Sequence, residues 1–394
     1  MTNPLQRSAR LPLVDALRAF ALFGILQVNI QSFVWGLGEP LGFLLPTANG
    51  ADTAAYLLVA ALVASKFMAL FAFLFGFGFA LQMKSLGRSV NGKRIYRRRL
   101  WFLLAVGIAH GCLLYFGDVL AAYALCGFIL LNYANDRPAA LAHSARRWGI
   151  GFATFNIVVL GGLGLLDLIA AKRDLVVPIS DEVWAHQAIY ATGSYGAQLL
   201  IRIPEYFGGL LLGAVQYVPM VMTLFLLGAL AARQGWLRYP ERHPRVWRMA
   251  SRVGTVGLVL ACAGAALAYT THTTSPGRID FFAVLLSIAG LTTMALYVAW
   301  IVRYQNTPLV RNAILWLAPA GRMPLSNYLL QSLVMGALLS GWGLGWGATL
   351  ARAELALLGL AIVLVQIVLS RLWMARFGTG PMETLWRRAT YSRQ

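Results

Sequence analysis

The sequence predicts an all-α protein, a polytopic transmembrane helical bundle of about ten spans with both termini in the cytoplasm. Three observations carry this. Hydrophobic residues make up 59% of the 394 and charged residues only 12%, against roughly 25% charged in soluble domains. Apolar runs of ~16–25 residues recur from end to end, the length of membrane helices rather than of the alternating strands of a barrel. Lys and Arg gather on alternate connections: with the N-terminus inside, 27 of the 33 fall on the cytoplasmic side. That asymmetry sets the orientation of membrane helices.

In chain order the expected spans are 13–34, 55–83, 100–116, 119–134, 148–171, 207–232, 253–270, 281–302, 323–343 and 355–376. The first is read as an uncleaved helix, because basic residues precede it but no small-residue cleavage site follows. The second is long enough to tilt or to begin as an interfacial segment. The third and fourth are short and share a tight turn at Gly117-Asp118. Between the fifth and sixth lies the largest outer connection, 172–206, with Asp181, Glu182, Trp184 and His186; a short interfacial helix is expected there. The chain thus divides into a five-helix half (1–171), this outer segment, and a second five-helix half (207–394) with an amphipathic tail. "FLFGFGFALQ" and "FLLGALAARQ" end the second and sixth spans alike, a faint hint of duplication.

The net charge of +19 is accounted for by topology and by anionic lipid head groups, so a nucleic-acid partner is not expected. Cys112, Cys126 and Cys262 lie in apolar runs without ligand spacing and read as packing residues. No zinc-type His/Glu pair is present, and no metal is expected. Membrane lipids and a small-molecule or lipid substrate are the expected partners, and a homodimer is compatible with the sequence.

Ionisable groups at bilayer depth are costly and face a cavity or a partner, so they mark the candidate site. Asp15 and Arg18 share one face of the first span. Asn29 follows on nearly the same face, about 16 Å farther out at 1.5 Å per residue. Lys66 lies near the middle of the second span and must pair, snorkel or face water. Arg97, Arg98 and Arg99, in "KRIYRRRLWF", form a basic cluster where the third span leaves the cytoplasm; a head-group anchor and a phosphate site for a cofactor such as coenzyme A are both open. His110 is the sole histidine of the expected spans, either an interhelical bond or a proton-handling group. Asp118, at the turn, is placed to cap the fourth span. Two turns separate His110 and Asp118, which need not touch. Arg322 precedes a helix start at Pro324, and Asn327 and Gln331 are i,i+4 on one face of it.

Together, "DALRAFALFGILQVNI", "LFGFGFAL", "RRRLWFLLAVGIAHGCLLYFGDVLAAYAL", "GRMPLSNYLLQS" and "GPMETLWR" resemble the YeiB family of bacterial inner-membrane proteins, whose C-terminal half is a domain of unknown function numbered 418. That family is distantly similar to membrane acyltransferases that move acetyl groups from cytoplasmic acetyl-coenzyme A. Asp15 and Arg18 match their Asp-x-x-Arg-Gly pattern, and Ala19 departs from its glycine. Those enzymes use a histidine in or near the outer loop after the first span, or at a matching cavity position. Here 35–54 has none, which leaves His110 as the base.

The resemblance implies an inner-membrane protein that passes an acyl group from a cytoplasmic donor such as acetyl-coenzyme A to a sugar, lipid or small molecule. In that reading the donor sits between Arg97, Arg98, Arg99 and Arg322 and the Asp15/Arg18 stripe. His110 is the general base, oriented by Asp118 or Asn29. The alternative is a carrier or binding protein without covalent chemistry. Its anionic solute would follow a path of polar residues at both leaflets, from Asp15, Arg18, Asn29, Arg322, Asn327 and Gln331, with Lys66 midway.

Overall fold

A computed structural model of the chain describes residues 11–35, 50–87, 90–172, 181–270 and 276–391. Among them there are helices and no strands. Seven helices are long and apolar enough to cross a membrane, as the sequence leads one to expect of a membrane protein.

Helix α1 (Pro12–Trp35) is the axis of the bundle, and its core side chains Leu17, Leu22, Leu26 and Ile30 are almost fully buried. The second span is interrupted. Helix α2 (Gly50–Leu58) runs into a π-turn (Val59–Val63) and stops at Ser65, whose φ is +66°. Helix α3 (Lys66–Leu86) then resumes. The break frees carbonyls of the preceding turn, and Lys66 Nζ donates to Ala60 O at 2.9 Å.

Helix α4 (Val90–Leu113) is continuous, with a strongly basic first half. It reverses through 114–119 into α5 (Leu120–Leu130), which ends in a 3-10 turn. Helix α6 (Pro138–Thr154) passes through a second π-turn (Phe155–Leu160) into α7 (Gly161–Ala171). Two helices follow where one interfacial helix was expected: α8 (Asp181–Thr192) and α9 (Tyr195–Leu212). The next span therefore begins at α10 (Ala214–Gln234) rather than at residue 207.

The remainder is α11 (Pro244–Thr270), α12 (Pro276–Tyr304), α13 (Pro308–Gly321), α14 (Pro324–Leu339), α15 (Arg352–Phe377) and the short α16 (Pro381–Tyr391). Pro308, Pro324 and Pro381 each stand at the first helical position, where the missing N–H is not needed. Helices α11 and α12 pair as a hairpin, while α1 packs on α3, α13, α14 and α15. The long α15 turns Leu357, Leu360, Leu364 and Val365 outward, an apolar exposure suited to lipid.

Three expected spans fall on elements outside the seven. Helix α4 carries its arginines within the helix; α5 and its 3-10 turn cover only Leu120–Tyr133; α14 has 16 residues. Helix α4 packs on α5, α9 and α16, α5 packs also on α10, and α14 packs on α1.

The two Phe/Gly motifs meet each other. A Cβ on Gly76 of α3 would strike the Phe225 carbonyl of α10, and one on Gly228 of α10 would strike the Phe73 carbonyl of α3. "FLFG" (73–76) and "FLLG" (225–228) thus cross reciprocally, each glycine under the other motif's phenylalanine. Small residues are what permit backbones to approach so closely within a membrane.

Candidate functional site

The reversal after α4 builds the site. Leu114 and Tyr115 both donate their N–H to the His110 carbonyl, so the helix ends there and the chain folds back. Asp118 returns to the level of His110. Its Oδ1 lies 2.8 Å from His110 Nδ1, and its Oδ2 accepts from Ala121 N–H at 2.9 Å. The second contact caps α5. Both side chains are almost wholly enclosed. A Cβ on Gly107 would press on the Ala121 backbone and come within 2.9 Å of Asp118 Oδ2, so only glycine there lets α4 and α5 hold this pair.

On the other face of the imidazole, Nε2 lies 2.8 Å from Ser332 Oγ of α14. With Asp118 accepting from two donors as a carboxylate does, Nδ1 carries the ring proton. Nε2 is then left to accept from the serine hydroxyl. Asp118, His110 and Ser332 form one hydrogen-bonded line, with an orienting acid, a base and a hydroxyl in order. The Tyr328 ring packs against the imidazole at 4.8 Å between centroids.

Below this line a cavity of about 2070 Å³ opens at the basic end of the bundle. Among the described residues, nine cationic side chains line it, including Arg18, Arg99, Arg233, Arg322 and Arg387, against the acids Asp15 and Glu383. Asp15 is bonded to Arg18 at 2.9 Å. Glu383 caps α14: its Oε1 accepts from Leu325 and Ser326 N–H, and its Oε2 from Ser326 Oγ. Arg99 lies 3.8 Å over the Trp386 ring and donates to Gln82 Oε1 at 2.7 Å. Deeper, the lining becomes apolar and aromatic, with Phe71, Phe75, Leu103, Leu120, Tyr123 and Tyr328. Tyr328 therefore lines the cavity with one face and touches His110 with another.

At the opposite end, α8 and α9 cover the site. Glu205 accepts from Tyr190 Oη at 2.6 Å and lies 3.0 Å from His186 Nδ1. Arg202 donates to Leu113 O, the last residue of α4, at 2.8 Å, and to Gln198 Oε1 at 2.9 Å. Burial pushes the Glu205 carboxyl above the usual glutamate value of 4.5, and hydrogen bonds from Tyr190 and His186 and the charges of His186 and Arg202 pull it partly back.

The sign follows from linkage. The folded state holds a proton that the unfolded chain releases near 4.5, so that stabilisation is complete below this pH and is lost as pH rises through the raised value. Hydrogen exchange in 181–212 should therefore accelerate as pH rises above about 4.5, after correction for intrinsic exchange, and Glu205→Gln should flatten the dependence. The same slope in the variant would remove Glu205 as its source.

The sequence candidates separate into groups. Asp15, Arg18, Arg99 and Arg322 come together on the cavity, whereas Arg97 and Arg98 do not line it. His110 and Asp118 are in contact. Asn327 and Gln331 lie in a buried amide ladder between α14 and α15: Gln331 Nε2 donates to Gln366 Oε1, Gln366 Nε2 to Asn327 O, and Asn327 Nδ2 to Ser370 Oγ and Ala320 O. Asn29 is half-buried on α1, and Lys66 is fully buried at the helix break; neither lines the cavity. Ser332 was not singled out from sequence. Among the described residues, no group of His, Cys, Asp or Glu is arranged to hold a metal ion.

Comparison with known proteins comes to the same family from another direction. Residues 231–393 match a family described as a protein of unknown function (DUF418). The uncharacterized protein YxaH of Bacillus subtilis is 32% identical, over 99% of this chain and 96% of its own. The uncharacterized protein YeiB of Escherichia coli is 27% identical, over 96% and 95%. An uncharacterized 39.9 kDa protein of Bacillus acidopullulyticus is 24% identical, over 100% and 97%. No solved structure matches.

Proposed function

We propose a function for this chain, which belongs to the YeiB family of DUF418 proteins: it transfers an acyl group from a phosphorylated cytoplasmic thioester, of the acetyl-coenzyme A kind, to a hydroxyl acceptor at the membrane. The observation that carries this reading is a basic cavity whose lining includes Tyr328, the ring that packs on His110 at 4.8 Å, while His110, Asp118 and Ser332 themselves lie behind that ring and off the lining. In this reading α4, α5 and α14 complete ten crossings, and the basic end faces the cytoplasm of a bacterial inner membrane.

The chemistry fits the gradient along the cavity. Phosphates need arginines, which bind them through charge-assisted hydrogen bonds, and these stand at the mouth. A thioester carbonyl needs a dry site with an aligned base, and this stands at the inner end. From Arg99 to His110 along α4 the helix rise is about 16 Å, so a donor carrying its acyl group on a long slender arm is the type that spans both. His110 serves as general base, with Asp118 holding its Nδ1 proton. Lys66 and the Asn327/Gln331 ladder lie off this route, which favours group transfer over an anion path through the bundle.

Titration of purified protein with acetyl-coenzyme A tests the first half of the reading. Arg99→Gln, which keeps length and polarity but removes the charge, is expected to weaken binding about tenfold or more. Dephospho-coenzyme A, lacking one phosphate, should bind more weakly than the parent and lose less on that substitution. Equal affinities across the set, or no binding at millimolar ligand, would contradict a phosphate-reading cavity.

A further inference from the structure

We infer that Ser332 is a covalent acyl carrier: its Oγ takes the acyl group from the donor as a serine ester and passes it to the final acceptor. This rests on the acyl-transfer reading above and divides that transfer into two steps. The inference arises from where the Ser332 hydroxyl points. Inside apolar helices a hydroxyl ordinarily bonds back to the carbonyl four residues earlier. Thr192, Thr223, Thr255, Thr292 and Thr390 all do so here. Ser332 does not. Its contact is His110 Nε2 at 2.8 Å, across 222 residues of chain, while Asp118 holds the far side of the ring at 2.8 Å. A nucleophile within reach of a base, itself oriented by a third group, is the arrangement by which a weak hydroxyl is activated.

Ser332 is 1% exposed and off the cavity lining, and Tyr328, one helical turn earlier on the same face of α14, lines the cavity, so a donor reaches Oγ only when the Tyr328 ring moves aside. The donor's approach thus ends about 6 Å of helix rise from Oγ. A carrier residue allows the donor to leave before the acceptor arrives.

In the first step Ser332 Oγ bonds to the thioester carbonyl carbon and its proton passes to His110 Nε2. The C–S bond breaks, and the thiolate takes that proton and leaves as the thiol. In the second step the acceptor oxygen bonds to the same carbon and its proton passes to Nε2. The Oγ–C bond breaks, and Ser332 Oγ recovers the proton. The net change moves the acyl group from sulfur to oxygen, with no other reactant.

The test uses the full-length protein in lipid nanodiscs and two probes. A fluorophosphonate, which phosphonylates activated serines irrespective of their natural donor, should label the peptide containing Ser332. Ser332→Ala should abolish that label, and Asp118→Asn should slow it by about 100-fold or more, since the imidazole then carries its proton on the wrong nitrogen. A serine that only ties α14 to α4 would not react. Acetyl-coenzyme A, added without acceptor and quenched in acid, should leave an acetyl adduct on Ser332. Ser332→Cys, which keeps a donor to Nε2, should form the thioester instead.

Absence of the fluorophosphonate label on a folded wild type would overturn the inference. So would transfer by Ser332→Ala at the wild-type rate while Asp118→Asn is inactive; direct transfer would then stand and the acyl-transfer reading with it. Labelling of Ser332 in a protein that neither binds nor consumes acetyl-coenzyme A would keep the nucleophile and retire that donor.

Discussion

Asp118→Asn is expected to leave the bundle folded and to reduce acyl transfer by about 10⁴-fold, the scale seen when an orienting carboxylate becomes an amide. The substitution changes no volume. The amide oxygen can still accept from Ala121 N–H, so the cap of α5 survives and the stability change should stay near 1 kcal/mol. Its NH₂ group, however, must then face His110 Nδ1 as a donor. The ring proton moves to Nε2, which no longer accepts from Ser332 Oγ. Volume and geometry are nearly retained, while both hydrogen bonds of the imidazole reverse direction and the carboxylate that stabilises its protonated form is gone. His110→Ala is a poorer experiment, because it leaves a buried carboxylate and a buried hydroxyl without their shared partner, a loss of several kcal/mol. Turnover of acetyl-coenzyme A alongside thermal unfolding in the same detergent separates the two effects. Comparable turnover in the variant and the wild type would mean that the Asp118–His110 contact is a helix tie and nothing more.

The largest expected effect on the fold comes from Gly228→Leu. A Cβ at this position already meets the Phe73 carbonyl and lies 2.8 Å from the Phe77 backbone nitrogen. Backbone has no rotamer by which to yield, so α10 must move away from α3 along the whole crossing. Gly76 then loses its seat beneath Phe225, and the Phe75–Phe225 stack, with centroids 4.6 Å apart, opens. Overpacking of a core ordinarily costs 1–3 kcal/mol. Here the clash is with main chain on an interface that also buries Phe77 and Leu226, and a cost of about 3 kcal/mol or more is expected. Loss of monodisperse protein on size-exclusion chromatography reads it. Gly151→Leu, at a site where an added Cβ meets nothing within 4 Å, should be tolerated and serves as control.

Much of the fold was legible because lipid imposes a coarse rule: long apolar runs must be helices. The rule says nothing about interruptions. The π-turns at 59–63 and 155–160 and the stop at Ser65 lie inside largely apolar sequence, where Lys66 alone marks the first and Asn156 the second. The position of Lys66 near mid-span was readable; its role as donor to a carbonyl freed by the break was not. The division of 181–212 into two helices was hidden for another reason. Gly193-Ser194 is a modest turn signal, and α9 is half apolar, so its end was read as the start of the next span.

The site was half legible. Asp15 with Arg18 follows from i,i+3 spacing, and His110 and Asp118 were marked by their rarity in apolar surroundings. Spacing alone does not give their contact, because a helix running on to residue 116 holds the two apart. The actual end at Leu113 turns Asp118 back by a reversal that no periodicity encodes. Ser332 closes the quoted motif GRMPLSNYLLQS, but nothing in its spacing points to His110. A serine in a helix is common, and a pairing across 222 positions exists only in the fold. Arg97, Arg98 and Arg99 looked equivalent in the sequence, and the phase of α4 turns Arg99 alone into the cavity.

The most direct test of the central claim, that the basic cavity feeds a dry base-and-hydroxyl site, is consumption of acetyl-coenzyme A by purified protein in nanodiscs of bacterial polar lipids, followed as free coenzyme A by chromatography. The account predicts protein-dependent release in the wild type, lost to background in Asp118→Asn and strongly reduced in Arg99→Gln, with labelled acetyl recovered on a lipid or added sugar hydroxyl. Release that is absent in the wild type, or that runs equally in all three proteins, would contradict it.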